Sequence, residues 1–547
     1  MERMKWPTKH PILFLTLVCL GVFFVNLDAI FVNIMEARNF ITAREMIQYG
    51  HWLLTTINGE PRYQKPPLPT WLTAFSALIF GLKSLWALRL PAAFMGLLTV
   101  LFTYKLAAKV TSQKPYALLS ALIAATSFYI IFAGRNGQWD VFTHAFMMGC
   151  LYQLWQFFTH PEKKYQHAFW AALFFGASFM SKGPVSLYAL MLPFLLSYGW
   201  VYRFKGMKSR WLPLLLFLVV ATLVSGWWFW YTYTFDTAAV TKITQKEATN
   251  WAGYNTRPFY YYWSFFTQSG LWTLPAFVGL LYPYLKNRVV DKKGYRFTFW
   301  WTILSVVLLS LIPEKKSRYL LPVLIPLAMN TAYYVDYLFR SFKTLKNPWE
   351  KLPVYLHFGL LALVGLAFPL GGYLYLQDRL DGHWLWYVLL SISLFVIGAY
   401  LLRSLLRKDL PKAFYGSIVF ILAVLCFGLP ISSALTINPE YKSTALLNDW
   451  QAETQLSVYE LGSFTPEMVW AYGKPIPVLS ENGQVEYPKE DRFGLLVSEE
   501  HQQRLQRQFK EYHIQKITRY DMNPKASGER SHRPRLWRDF YLLERNK

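Results

Sequence analysis

Apolar runs about as long as a membrane crossing recur from residue 11 to residue 435 and leave room for few other folds. A transmembrane helix needs about 20 mostly apolar residues. One run begins at Pro11. Others fall near 88–110, 115–134, 139–158, 166–181, 183–203, 211–234, 259–285, 296–313, 318–340, 353–376, 384–404 and 413–435, which predicts thirteen spans. The first run follows Arg3, Lys5 and Lys9, as a signal peptide would. It is longer than a signal core, however, and no small-x-small cleavage site follows Leu27. It reads as a retained helix.

Charge supports the same reading. Only 16% of the residues are charged, against about 25% in soluble proteins, which excludes a disordered or ordinary cytosolic chain. The net charge of +24 invites a nucleic-acid reading, but the cations come in bursts between apolar runs rather than on one polar face. An odd span count with a cytoplasmic N-terminus puts 25 of the 56 Lys and Arg residues in cytoplasmic loops. The outer loops hold 15, and the tail after residue 435, placed outside, holds 16. That asymmetry is the positive-inside pattern. Counting 68–84 as a further span would invert every later loop. It is therefore expected to lie on the outer surface, with Trp71 and Trp86 at the interface. The cysteines Cys19, Cys150 and Cys426 all sit in apolar runs, with no disulfide or metal spacing.

The fold expected is an α-helical polytopic membrane domain over 1–435, including the first outer loop 34–87, followed by a small extracytoplasmic α/β domain over 436–547. The stretch Phe493–Val497 suggests a strand and His501–Tyr512 an amphipathic segment.

Two outer loops break the pattern. In the first, Glu36, Arg38, Arg44 and Glu45 fall on one short helix, and Pro66 and Pro67 hold Lys65 in an extended turn. Asp140 opens the fourth span after Gly134-Arg135-Asn136-Gly137. In the second, Lys315, Lys316 and Arg318 stand outside beside a span, and Lys182 lies at the junction of two others. Taken singly, these are solvated charges, helix caps or cations snorkelling to head groups. Taken together, they suit a polar site at the membrane surface, where cations are costly unless they meet an anion such as lipid phosphate.

These motifs, in order, carry a family resemblance. Glu36 with Arg38, Ala43-Arg44-Glu45-Met46, Gly50-His51-Trp52, Asn58-Gly59 and Lys65-Pro66-Pro67-Leu68 are followed by Arg89-Leu90-Pro91 and by Gly134-Arg135 with Asp140. Lys182-Gly183-Pro184, Arg257-Pro258-Phe259-Tyr260-Tyr261 and Arg318-Tyr319-Leu320-Leu321-Pro322 complete the series. Over about 30–330 the chain resembles the GT-C membrane glycosyltransferases of the ArnT-like branch, related to protein O-mannosyltransferases. It departs from their pattern at Met35, where the family usually carries an aspartate, at Asn39 in place of Tyr, and at Gln64 in place of Glu.

The resemblance implies transfer of a sugar from a polyprenyl-phosphate donor, with inversion, to lipid A or another envelope glycan in a bacterial inner membrane. A protein acceptor is the alternative. Donor phosphate would fall to Arg38, Lys65, Lys182, Lys315, Lys316 and Arg318, and the base would be Glu36 or Asp140. Arg44, Glu45, Tyr63, Arg135, Arg257 and Tyr319 would line the substrate cavity. No cofactor is implied beyond a divalent metal, and Gln64, replacing a glutamate that can help hold one, argues against it. The partners are then the lipid donor, the acceptor and membrane lipids, with no nucleic acid. A transporter or flippase would show acids paired inside the membrane or repeated broken helices, and the sequence shows neither. A catalytically silent homologue rests on Met35, Asn39 and Gln64 alone.

Overall fold

Helices long and apolar enough to cross a membrane form where the apolar runs are unbroken. A computed structural model of the chain describes all residues except Met1–Met4, Tyr254, Ile437, Asn482, Gly483 and Lys547. Among the described residues there are six such helices: Leu85–Thr111, Trp211–Phe235, Lys292–Leu311, Pro348–Leu380, Trp384–Leu406 and Leu410–Leu435. Lys114–Ala125 and Phe128–Gly134 make a seventh apolar pair, bent by 67° at Thr126-Ser127. Further helices at Asp140–Thr159, Lys164–Lys182 and Leu321–Ser341 complete a largely helical bundle.

Leu68–Phe80 is a helix of 13 residues. At 1.5 Å per residue it spans about 20 Å, short of the roughly 30 Å hydrocarbon core. The 259–285 run differs from the continuous span expected. It breaks into the 3₁₀ turns Phe259–Tyr262 and Phe265–Trp272 and the short helices Thr273–Gly279 and Tyr282–Leu285. Pro275 and Pro283 lack the amide hydrogen a long helix needs, and Gly270 takes φ +63°, which ends a helical path. A Cβ at Gly270 would fall 2.5 Å from Phe128 Cβ, so the close approach also demands glycine. Small residues act likewise where helices Pro348–Leu376 and Trp384–Leu406 cross. A Cβ on Gly365 would sit 2.5 Å from the Leu394 carbonyl oxygen, close to Gly398.

The chain divides into two compact units, and the boundary differs from the one expected at residue 435. One unit contains Met1–Ala29 and Tyr63–Ile431; the other contains Ile30–Arg62 and Ser432–Lys547. The start of the first loop thus folds with the polar tail. The reason is apolar burial: Ile41 lies in one cluster with Leu447, Val458, Met468, Val469, Ile476, Leu496 and Phe540, and Phe40 packs on Trp470 at 5.3 Å between ring centroids. Asn58 fixes the join. Its Nδ2 donates to the Ile476 carbonyl and its Oδ1 accepts from the Ile476 amide, each at 2.7 Å. Asn58 and Gly59, at φ +58° and +81°, make the two-residue turn of a small hairpin, Thr56–Ile57 against Glu60–Pro61.

The centre of this second unit is a four-stranded sheet. Val458–Leu461 runs parallel to Arg492–Val497, which pairs antiparallel with Trp537–Arg545, and that strand pairs antiparallel with Tyr512–Asp521. The helices Leu447–Thr454, Pro466–Tyr472 and Gln502–Gln508 complete an α/β unit.

Candidate active site

The chemistry-bearing groups of the membrane unit gather on the seam between helices Asp140–Thr159 and Lys164–Lys182. Residues three and four apart on a helix share a face, and each helix contributes such a row. Thr143 Oγ1 donates to the Ser178 carbonyl at 2.9 Å, and Ser178 Oγ returns a bond to the Thr143 carbonyl at 2.7 Å. One turn on, Lys182 Nζ donates to Asp140 Oδ1, both side chains being buried. Beyond the helix end, His144 Nδ1 lies 3.1 Å from Ser186 Oγ. Gly183, at φ +71°, stops the second helix directly after Lys182 and leaves the ammonium at its end. Asp140 Oδ2 is buried and has no hydrogen-bond partner.

The segment after Lys292–Leu311 brings the other cations. Lys182 Nζ stands 5.4 Å, Lys316 Nζ 5.8 Å and Arg318 Cζ 5.7 Å from the centroid of the Tyr319 ring. Three cations around one aromatic ring are held against their mutual repulsion by Asp140 on Lys182 and by Glu314 on Lys316. The scaffold beneath is backbone. Arg257 N donates to the Pro313 carbonyl at 3.1 Å, and Asn255 Nδ2 donates to the Lys315 carbonyl at 3.0 Å. The Tyr262 hydroxyl donates to the Lys316 carbonyl and accepts from its amide, each at 3.1 Å.

Several expected site residues hold the frame instead. Lys315, 2% exposed, donates its ammonium to the Arg257 and Ile312 carbonyls at 3.0 and 2.6 Å, and burial lowers its pKa. The Arg135 guanidinium donates to the carbonyls of Val22, Val25 and Asn26, tying the Phe128–Gly134 helix end to the first apolar segment. Both cations are committed to backbone oxygens, because a buried cation there satisfies carbonyls that helix ends leave open. Arg257 is exposed. The Tyr63 hydroxyl donates to Asp236 Oδ2 at 2.7 Å; burial first, then this carboxylate, raises its pKa. Lys65 is half-buried in the turn that Pro66 and Pro67 follow.

The remaining expected residues belong to the second unit. Glu36 is the third residue of helix Ile34–Tyr49 and forms a capping box with Asn33, whose amide and Nδ2 donate to Glu36 Oε2. Arg44 donates to the Val469 carbonyl at 3.2 Å, and Glu45 accepts from Thr56 Oγ1 at 2.5 Å. Arg38 offers its carbonyl to Arg62, whose Nη1 also donates to Thr42 Oγ1 at 3.0 Å. Burial, and the charge of Arg38 beside it, lower the Arg62 pKa to about 9. Among the described residues no group of three or more His, Cys, Asp or Glu side chains converges on a metal position.

Sequence reasoning missed His144, Ser186, Ser178 and Glu314. The 3–4 spacing of Asp140, Thr143 and His144 was the available signal, obscured because uncharged polar residues inside a span look like ordinary helix content.

Comparison with known proteins accounts for the architecture. Residues 64–230 match the dolichyl-phosphate-mannose-protein mannosyltransferase family. An uncharacterized protein of Aquifex aeolicus is 27% identical over 77% of this chain and 79% of its own length. An undecaprenyl phosphate-alpha-4-amino-4-deoxy-L-arabinose arabinosyl transferase of Erwinia tasmaniensis is 25% identical over 55% of this chain; the match spans about half, 54%, of that relative. The crystal structure of ArnT from Cupriavidus metallidurans bound to undecaprenyl phosphate superposes with a TM-score of 0.67, covering 97% of each chain at 18% identity. The chain has the fold of this ArnT and is similar to the ArnT-like GT-C membrane glycosyltransferases. In this ArnT-like chain the matched 64–230 region holds Asp140, His144, Lys182 and Ser186, while Lys316, Arg318 and Tyr319 lie beyond it.

Proposed function

We propose that this ArnT-like chain transfers a sugar from undecaprenyl phosphate, or a similar polyprenyl phosphate, to lipid A or another envelope glycan. The observation that carries the reading is the ring of Lys182, Lys316 and Arg318 around Tyr319, beside the buried carboxylate of Asp140. The name of the Erwinia tasmaniensis arabinosyl transferase and the undecaprenyl phosphate bound to the Cupriavidus metallidurans ArnT support the same donor class.

Displacement at the anomeric carbon breaks the bond to the phosphate oxygen and leaves the electron pair, and so the negative charge, on the lipid phosphate. Cations fixed in a water-poor site stabilise that charge without reorganising. Lys182, Lys316 and Arg318 take this role, with Lys65 as a further donor-phosphate residue. The attacking hydroxyl loses its proton to a carboxylate within hydrogen-bond reach. Asp140 suits this better than Glu36, because Asp140 Oδ2 is unpartnered while Glu36 Oε2 already takes two helix-capping bonds. One displacement inverts the anomeric centre. The proposed setting is a bacterial inner membrane, with the N-terminus cytoplasmic and the tail unit periplasmic.

The test is mass spectrometry of lipid extracts from a deletion strain beside its parent, repeated with an Asp140→Asn strain. Loss of one sugar from lipid A in both supports donor and acceptor together. A sugar-bearing polyprenyl phosphate that accumulates while lipid A stays unchanged moves the acceptor elsewhere, to protein or another glycan. No change in either lipid defeats the reading.

A further inference from the structure

Buried polar atoms without partners concentrate at one place in the membrane unit, the turn between helices Phe128–Gly134 and Asp140–Thr159. Asn136 is 5% exposed, and its Oδ1 has no hydrogen-bond partner. Gln138, 3% exposed, lies two residues further along the same turn. Asp140 Oδ2 and Arg318 Nε are buried and unpartnered as well, and Arg318 lies within electrostatic reach of Asp140. The backbone here is settled: Gln138 N donates to the Asn136 carbonyl at 2.8 Å and Arg135 N to the Ile131 carbonyl at 3.1 Å. The neighbouring Arg135 holds three carbonyls through its two terminal nitrogens, while its buried Nε has no partner.

Leaving a buried polar group unmatched costs about 1–3 kcal/mol. Native proteins meet almost all of theirs, so several exceptions in one turn call for a physical reason. They also differ in kind from the surrounding cations. A phosphate needs positive charge, and Lys182, Lys316 and Arg318 supply it. A side-chain amide carries one acceptor and two donors without net charge, which matches a hydroxyl-bearing ring rather than an anion.

We infer that Asn136 and Gln138 are the sugar-reading residues of this site: their amides bind hydroxyl or amino groups on the ring carried by the lipid phosphate. The inference rests on the donor reading above and adds the part of the donor that the cations do not touch. Asn136 and Gln138 lie in the short turn that leads directly into Asp140, the first residue of its helix. An amide reading the ring is thus placed near the carboxylate proposed to deprotonate the acceptor. Recognition of this type discriminates strongly, since a ring lacking the matched hydroxyl leaves a buried amide unpaired again.

The experiment uses the full-length protein in nanodiscs and two kinds of probe. One is bare undecaprenyl phosphate; the other is a panel of undecaprenyl phosphates carrying 4-amino-4-deoxy-L-arabinose, mannose or N-acetylglucosamine. Dissociation constants are measured for the parent protein and for Asn136→Ala and Gln138→Ala, with melting temperatures alongside. Losing one neutral hydrogen bond should weaken the preferred sugar-bearing lipid by about three- to tenfold. Affinity for the bare lipid phosphate should stay unchanged. Equal weakening of both probes, or of neither, overturns the inference while leaving the donor reading in place. A parent protein that binds every lipid in the panel no better than the bare lipid also overturns it. A parent protein that binds no polyprenyl phosphate at all defeats the donor reading itself. Should Asn136→Ala fail to fold, Gln138→Ala carries the same comparison.

Discussion

The Asp140–Lys182 pair allows structure and function to be separated by a double-mutant cycle. Both side chains are almost fully buried, at 3% and 5% exposure. Removing one partner of such a pair leaves a buried charge uncompensated and costs about 3–5 kcal/mol of stability. Asp140→Asn should cost at the upper end, because it leaves Lys182 facing Arg318 and Lys316 with one carboxylate fewer. Lys182→Gln should cost less, since Arg318 still stands near Asp140. The double variant, with two neutral amides, should recover most of the loss, giving a coupling of about 2 kcal/mol or more. Binding of undecaprenyl phosphate should not recover with it. A charge-assisted hydrogen bond is worth about 1.5–3 kcal/mol, so losing the Lys182 ammonium should weaken binding by about 10- to 100-fold in the single and the double variant alike. The assay pairs thermal unfolding in detergent with lipid titration. If the double variant regains both stability and affinity, the pair is only a helix clamp, and the phosphate role of Lys182 is refuted.

Other outcomes follow from particular contacts. Tyr319→Phe should bind undecaprenyl phosphate as the parent does, whereas Tyr319→Ala, losing the ring that three cations face, should bind about threefold or more weakly by the same titration. Asn58→Ala should destabilise the tail unit by about 2–3 kcal/mol, read as a fall in its melting temperature, because both bonds to Ile476 go; Asn58→Gly should restore only the turn. Burial pushes the Glu460 carboxyl up from 4.5 to about 7, and Arg538 offsets this only in part. The folded unit therefore holds a proton that the unfolded chain releases above pH 4.5, so this contribution is fully present below 4.5 and is lost as pH rises through 7, up to about 3 kcal/mol. His501, lowered by burial, works the other way, adding stability as pH rises toward 6.5 and nothing further above it. Melting curves at about pH 5 and pH 8 should show a flatter dependence in Glu460→Gln, and an unchanged slope would refute Glu460 as its source.

Much of the bundle was legible because apolar length is a direct physical signal: Leu85–Thr111 and Trp384–Leu406 lie within a few residues of the predicted spans. The 259–285 run misled because composition measures greasiness, not the donors lost at Pro275 and Pro283 or the backbone reversal at Gly270. Lys182, Arg318 and Asp140 stood out as charges beside apolar runs, and the structure brings these three together. Lys315 and Arg135 stood out equally, yet they serve carbonyl oxygens, and sequence carries no mark of which anion a cation meets. The Ile34–Tyr49 helix was the hardest to place. Its apolar residues Phe40 and Ile41 are too few to announce a core, and their partners lie about 400 residues further along the chain.

That separation also sets an order of events during synthesis. The tail unit is built from Ile30–Arg62 and Ser432–Lys547, so its first piece leaves the ribosome some 370 residues before the second begins. At about 5–20 residues per second the gap lasts about 20–70 s. Throughout it, Phe40, Ile41 and the Asn58 hairpin have no partner strand to pack against. The early segment must therefore cross or reach its compartment unfolded and wait there, exposed to proteases and chaperones, until the last strand arrives. A chain stalled after its final apolar helix would have a complete bundle and a first loop with no core to join.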